Sequence, residues 1–270
     1  MMVISRSPTS FQVASRSNGV YLHHEAHAAL KETEMPTAVP PSDYSSVVLT
    51  AQFGNEKERL GAIEHIIATH WKVLYKYLRL RYDVPSSDAE AMMQSFLNEL
   101  QEKEFLDQFD GSKSPIRAYL RAKLDDSATR QKTSAMDGSS LPIDFSMAEE
   151  ELRTEQRDPA QSAEEYFESE WLRNIFTLAV EELYGKLQQQ GKTVQFFLFL
   201  RHDLQQGERL PLEEMAKELS IPPDIAKVYL KETRTTYQGI VTDLVQSLTT
   251  SSAEFRKEVR SLFGNAPSSA

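Results

Sequence analysis

Basic side chains cluster between residues 113 and 132, where six lysines and arginines stand against two aspartates. Arg117 and Arg121 are four residues apart, so on a helix they share one face and form a ridge of positive charge. Such a ridge binds the phosphates of nucleic acid whatever the base sequence, and Tyr119 could stack on an unpaired base. The alternative is a solvated helix face above a buried Tyr119. The residues that we expect to contact DNA here are Arg117, Tyr119, Arg121, Lys123 and Arg130.

Residues 212–230 have a helix-turn-helix pattern, and the second helix of this pattern carries a second basic face. Ala216 is small where two helices would approach closely, and Pro222-Pro223-Asp224 supplies a turn and the N-cap of the second helix. A simple two-helix hairpin can produce the same pattern. The second helix carries three cations spaced by four and three residues, the arrangement by which a helix enters the major groove: Lys227, Lys231 and Arg234.

Histidines near the N-terminus offer the one pattern that could hold a metal ion. His23 and His27 have the i, i+4 spacing of two ligands on a helix, with His24 and Glu25 between them. However, a metalloprotease helix needs two residues between its glutamate and the second histidine, and here there is one. We therefore interpret this segment as a solvated arm and expect no metal site.

Catalysis finds little support in the sequence. It contains no glycine-rich phosphate loop, nucleophile elbow or His-Glu metal motif, and without cysteine it has neither thiolate ligands nor a thiol nucleophile. Paired carboxylates are frequent only between residues 144 and 170, a segment too polar to hold them in a fixed geometry. We expect a protein that is not an enzyme and has no cofactor.

Composition indicates a chain with enough apolar residues to form a hydrophobic core. Its 270 residues are 40% hydrophobic, and 30 basic against 40 acidic side chains give a net charge of −10. No apolar run approaches the length of a transmembrane helix, and the N-terminus lacks the apolar stretch of a signal peptide. The expectation is a soluble cytoplasmic protein with no membrane partner.

Apolar residues recur at helical spacing in two blocks, which predicts an all-α fold of two helical domains. In the first block Trp71, Tyr75 and Leu78 fall on one core-facing stripe, and Ser87 is a candidate N-cap for the next helix. The predicted organisation is a disordered arm over 1–50, helical domains over 51–135 and 171–265 with an acidic linker over 136–170 between them, and a tail over 266–270.

The predicted linker concentrates the acidity of the chain. Between Asp144 and Glu170 there are ten acids against Arg153 and Arg157, so this segment accounts for −8 of the net charge. Such composition is typical of a flexible, solvated segment. We expect it to be disordered in the free protein and to screen the basic ridge of residues 113–132.

Two blocks together resemble bacterial RNA polymerase sigma factors of the extracytoplasmic-function type. In that family an aromatic-rich helix, an acidic Asp-Ala-Glu-Asp-x-x-Gln-Glu-x-Phe motif and a basic segment follow one another, and a helix-turn-helix domain comes later. The first block consists of Trp71-Lys72-Val73-Leu74-Tyr75-Lys76-Tyr77, Asp88-Ala89-Glu90-Ala91-Met92-Met93-Gln94-Ser95-Phe96-Leu97 and Ile116-Arg117-Ala118-Tyr119-Leu120. The second block spans Leu212–Val241, and the similarity resumes further on at Glu258–Phe263.

The resemblance implies core RNA polymerase and promoter DNA as partners, with an anti-sigma factor as a further candidate. It implies polymerase binding by Asp88, Glu90, Gln94, Phe96 and Leu97. Two positions depart from the motif, because Ala91 and Ser95 stand where the family has acids. This departure keeps a second hypothesis open, a sigma-like regulator or adaptor that retains the fold without initiating transcription.

Overall fold

The computed structural model describes residues 46–131, 143–205 and 210–263, and over these ranges every regular element is helical. The all-α prediction is therefore confirmed. The ten α-helices are α1 Val47–Phe53, α2 Glu56–Tyr82, α3 Ser86–Gln101, α4 Ile116–Gln131, α5 Ser146–Thr154, α6 Ala163–Gln189, α7 Thr193–Phe199, α8 Leu212–Glu218, α9 Pro223–Ser247 and α10 Ser252–Phe263, with a π-helical turn at Leu200–Leu204.

Local signals fix the ends of the two longest helices, α2 and α6. Asn55 caps α2 and Ser162 caps α6, each in a capping box with the glutamate three residues later. Helix α2 stops where Asp83 enters the left-handed region with φ 48°. The predicted cap Ser87 is wrong, because α3 begins one residue earlier, at Ser86, after Pro85.

One hydrophobic core extends from α1 to α10 rather than two separate cores. Helices α2 and α6 lie against each other, and α9 packs on α6 and α7. Tyr75 and Leu78 are fully buried, as the apolar stripe predicts, and Trp71 is half-buried. Buried side chains of α2, α6 and α9 belong to the same apolar cluster. This continuous core does not confirm the expected division into two domains joined by a linker.

The acidic segment of the predicted linker is folded in this structure, and its ion pairs explain why. Within residues 143–170, Ser146–Thr154 form α5 and residues 163–170 form the first two turns of α6, with a non-helical connection over 155–162. Glu149 bonds Arg79 and the Tyr75 hydroxyl, while Glu151 bonds Lys72 and Lys76. Carboxylates that look solvated in the sequence are therefore neutralised by cations of α2, which removes the repulsion that would keep the segment extended.

Two other predictions fall on the chain ends. The arm predicted over 1–50 lies outside the described residues up to position 45, as do the four residues of the histidine pattern, and α1 begins at Val47 within its last positions. Among the helices that the structure describes, none is both long and apolar enough to span a bilayer.

Candidate nucleic-acid interface

Arg117 lies at the centre of the predicted basic ridge, but its side chain is only 11% exposed. Its Nε donates to Glu168 at 2.8 Å and its Nη1 donates to Glu258, so carboxylates of α6 and α10 both bind it. Its guanidinium carbon also stacks 4.1 Å above the ring of Trp171. Arg117 therefore joins α4 to α6 and α10 in this conformation instead of facing solvent.

The other residues of α4 that were predicted to contact DNA also have partners within the chain. Arg121 lies 3.5 Å from Glu168 and stacks over Phe167, and Arg130 bonds Glu99 at 2.6 Å. The Tyr119 hydroxyl donates to the Phe105 carbonyl at 2.6 Å, and burial raises the pKa of that hydroxyl. Lys123 lies above the Tyr119 ring. Tyr119 is thus half-buried packing, which is the alternative that the sequence left open.

Glu168 contacts the basic ridge that the acidic segment was expected to screen, and it does so from a folded helix rather than from a disordered segment. It is the member of the ten acids that contacts both Arg117 and Arg121. Salt screens partly buried ion pairs much less than exposed ones. The contacts of Glu168, at 2.8 Å to Arg117 and 3.5 Å to Arg121, therefore act at short range.

Replacing Glu168 by glutamine is expected to raise the affinity of the free protein for random-sequence duplex DNA. Arg121 would lose its carboxylate partner and Arg117 one of two, so the slope of log K against log salt should steepen by about 1 to 2. Fluorescence anisotropy at several salt concentrations measures this slope. Glu182→Gln, which removes an exposed carboxylate of the same helix, is the control, and equal slopes for the two variants would contradict the screening role.

The C-terminal helix α10 closes over the start of α4. Thr250 donates to Glu254 through its backbone N–H and its hydroxyl, each at 2.8 Å. The loop before α4 approaches this turn so closely that a Cβ on Gly111 would overlap Thr250 and Glu254. A small cavity there is lined by Trp171 and Glu254, among others. The indole nitrogen of Trp171 and one Glu254 carboxylate oxygen are buried without a hydrogen-bond partner in the described part of the chain.

The helix-turn-helix pattern corresponds to two helices joined by a short turn. Helix α8 ends at Glu218, and Ser220 adopts a left-handed conformation with φ 56°, which reverses the chain direction. The Ile221 N–H donates to the Ala216 carbonyl at 2.9 Å and closes the turn. Helix α9 then starts at Pro223, with Pro222 rather than Asp224 at the cap position. Ala216 is fully buried, as its small size predicts.

The cations of α9 do not act as one group. Lys227 and Lys231 are exposed near its N-terminal end, and Lys227 lies 3.9 Å from Asp224. Arg234 instead makes two hydrogen bonds of 2.7 Å to Asp203 in the π-helical turn. Burial alone would raise the pKa of the Asp203 carboxyl, but the bonds from Arg234 and His202 outweigh burial and hold the pKa below its usual range. Arg234 anchors α9 to the body of the protein.

The polymerase-binding residues implied by the resemblance separate into two groups. Asp88 is exposed and Glu90 and Gln94 are half-buried along α3. Phe96 and Leu97 are 0% and 1% exposed, so they cannot contact a partner from the folded chain. Their place in the motif reflects the apolar stripe of α3, which packs towards α2 and α4.

The residues that sequence reasoning missed are the acidic partners of these arginines. Glu258 and Asp203 lie 141 and 31 residues from Arg117 and Arg234, and no local pattern links such positions. One signal was available for Glu258. Together with Glu254 it falls on the same stripe of α10 as the buried Phe255, Val259 and Leu262, and an acid on an apolar stripe indicates a buried cation partner.

Candidate metal ligands do not cluster in the described part of the chain. No group of three or more histidine or carboxylate side chains within 46–131, 143–205 and 210–263 is arranged to hold a metal ion.

Comparison of the whole sequence and structure with protein-family models, curated proteins and solved structures finds no match.

Proposed function

We propose that this chain is a sigma factor of the extracytoplasmic-function type, which binds core RNA polymerase and directs it to promoters for transcription initiation. The observation that carries the proposal is the α8–turn–α9 unit, in which a left-handed Ser220 orients a long second helix whose first turns are exposed. Such a helix is suited to the major groove of DNA.

Within this proposal the exposed part of α3 contacts the polymerase. Asp88, Glu90 and Gln94 remain accessible there, while Phe96 and Leu97 support the helix from inside the core. Lys227 and Lys231 contact phosphates beside the groove, and the neighbouring Val228, 50% exposed, offers an apolar surface to base methyl groups.

Helix α4 takes part only after a rearrangement. Arg117 is held by Glu168 and Glu258 together, so it reaches DNA when α6 and α10 move away from it. Binding of the polymerase could supply the free energy for this movement, because a partner that binds only the open state shifts the equilibrium towards it.

A second candidate function is supported by the same ion pairs. Arg117, Arg121 and Arg234 all bind carboxylates of the chain itself. A sigma-like regulator or adaptor that keeps the fold without initiating transcription would have no need for these cations at a DNA surface. In that case the helices α4 and α9 serve only the packing of the chain.

Reconstitution tests the proposed function directly. The full chain is mixed with core RNA polymerase, their association is measured by co-purification, and run-off transcription is followed on a library of promoters. We expect a stable complex and transcripts that depend on the added chain. Absence of both the complex and the transcripts would overturn the proposal.

Restoring the two missing acids distinguishes the two candidate functions. Ala91 is exposed and Ser95 is half-buried on α3, so Ala91→Asp with Ser95→Glu extends the exposed acidic motif. For a working sigma factor we expect less than about a tenfold gain in polymerase affinity, or less than 1.4 kcal/mol. A large gain from an undetectable baseline would instead favour the regulator. Asn98→Asp, on the same helix outside the motif, controls for added charge.

A further inference from the structure

The C-terminal helix α10 separates its charges between two faces. Its inward face combines Phe255, Val259 and Leu262 with Glu254 and Glu258, all buried. Its outward face carries three exposed cations and no acid, although the chain as a whole has a net charge of −10. The cations, which form the α10 basic face, are Arg256, Lys257 and Arg260.

Two of these cations, Arg256 and Arg260, are unusual because no residue in the described part of the chain neutralises them. Over the described ranges, Arg256 and Arg260 make no ion pair, hydrogen bond or ring contact. The other arginines there each contact a carboxylate, a backbone carbonyl or an aromatic ring, as Arg59, Arg81 and Arg157 do on exposed or half-exposed surfaces. In so acidic a protein, two arginines side by side without a partner indicate a site for an anion from outside.

The spacing of the three side chains makes the cluster unfavourable for the isolated chain. Arg256 and Arg260 are four residues apart and Lys257 and Arg260 are three apart, so like charges face one another on the helix surface. Only Arg260 lies in the last turn, where the helix dipole favours a cation. A polyanion laid along this face would relieve the repulsion of all three.

We propose that the α10 basic face binds the phosphodiester backbone of duplex DNA. The choice of DNA rests on the proposed function and on the neighbourhood of the face, since α10 follows the long helix of the helix-turn-helix unit and packs against it. Arg256 and Arg260 are separated by about 6 Å along the helix. DNA presents one charge per about 1.7 Å of its axis, so three or four phosphates lie within that distance.

The composition of the face argues against the other sources of negative charge. Among the side chains that the structure describes, the remaining exposed residues of α10 are Ala253 and Ser261, and neither is a large apolar residue. A helix that lies on a membrane needs such side chains to insert between lipids, and a protein interface needs them for its core. Phosphate contact requires neither.

The test compares the full chain with the triple variant Arg256→Gln, Lys257→Gln, Arg260→Gln. Glutamine keeps a high helix propensity, so exposed positions tolerate it. Binding to a labelled random-sequence duplex is followed by anisotropy at several salt concentrations. We expect the triple variant to lose roughly tenfold or more in affinity at low salt, and its slope of log K against log salt to fall by up to about 2.7.

A charge-matched control removes three exposed lysines elsewhere, through Lys57→Gln, Lys186→Gln and Lys192→Gln. Equal loss in both variants, an unchanged slope in the triple variant, or no duplex binding by the unaltered chain at low salt would overturn the proposal. It would also be overturned if the triple variant kept duplex binding but lost binding to phosphatidylserine vesicles. Association with core RNA polymerase is measured on the same preparations. A failure of the proposed function is therefore seen as loss of this association, whereas a failure of the present proposal is seen in the salt slope of duplex binding.

Discussion

Replacement of Lys76 by alanine is expected to lower the free energy of unfolding by about 3 kcal/mol. The Lys76 ammonium is 1% exposed and bonds Glu170, which is 3% exposed, and it lies 2.7 Å from Glu151. These contacts join α2 to α5 and α6 in the interior. Removing the lysine would leave a buried carboxylate short of a cation, which costs more than the ion pair itself contributes.

The size of this loss is limited by a second cation. Arg173 lies 2.5 Å from Glu170, so the buried carboxylate keeps one partner and the loss falls at the lower end of the 3–5 kcal/mol typical of broken buried pairs. For an ordered chain of this length, about 3 kcal/mol corresponds to a fall in Tm of roughly 6–12 °C. Lys76→Met keeps most of the packing and isolates the effect of the charge.

Lys72→Ala provides the matched control for this result. Lys72 bonds the same Glu151 at 2.8 Å from the same helix, but it is 18% exposed and Glu151 retains Lys76. Its loss should cost about 1 kcal/mol or less. Thermal and chemical unfolding of the three variants give the comparison. Losses for Lys76→Met and Lys72→Ala that agree within error would refute the buried-pair account.

The helices themselves could be predicted from the sequence because their signals are local. The apolar stripe of residues 63–78 and the pair Pro222-Pro223 each act within about four residues. The helix-turn-helix unit belongs to the same category, since its small Ala216 and its turn lie within one short stretch.

The acidic segment could not be predicted, because what folds it lies far away in the chain. Lys76 meets Glu170 across 94 residues and Arg79 meets Glu149 across 70. A count of acids registers repulsion within the segment, whereas the structure sets Glu149, Glu151 and Glu170 beside cations of α2. Composition therefore predicts disorder wherever the compensating charge is distant in sequence.

The same limit explains which of the predicted DNA-binding residues lie on the surface of the folded chain. Exposed positions on α9, such as Lys227 and Lys231, keep the surface place that their spacing predicts. Arg117 and Arg234 do not, because a long guanidinium side chain readily joins helices through two carboxylate bonds. An arginine on a predicted face is thus a weaker guide to a binding surface than a lysine on the same face.

Stability is expected to fall as the pH drops from about 6.5 towards 4, and His70 is the cause that a single substitution can isolate. His70 is 1% exposed, and its Nδ1–H donates to the Ile66 carbonyl at 2.9 Å. Its Nε2 is buried without a hydrogen-bond partner among the described residues. Burial, with a smaller contribution from the positive Arg117, lowers the pKa of the imidazole to about 4, against the backbone hydrogen bond, which raises it.

The sign follows from proton binding in the two states. Between pH 6.5 and 4 the unfolded chain binds a proton at position 70 that the folded chain does not, so acid favours unfolding. The contribution is fully present above pH 6.5 and decreases by about 1.4 kcal/mol per pH unit, or about 2 kcal/mol by pH 5. His70→Phe should remove this decrease, whereas His65→Gln, at an exposed position on the same helix, should retain it. Urea unfolding from pH 7.5 to 4.5 measures the difference between the curves, and parallel curves for His70→Phe and the unaltered chain would show that His70 is not the group that titrates.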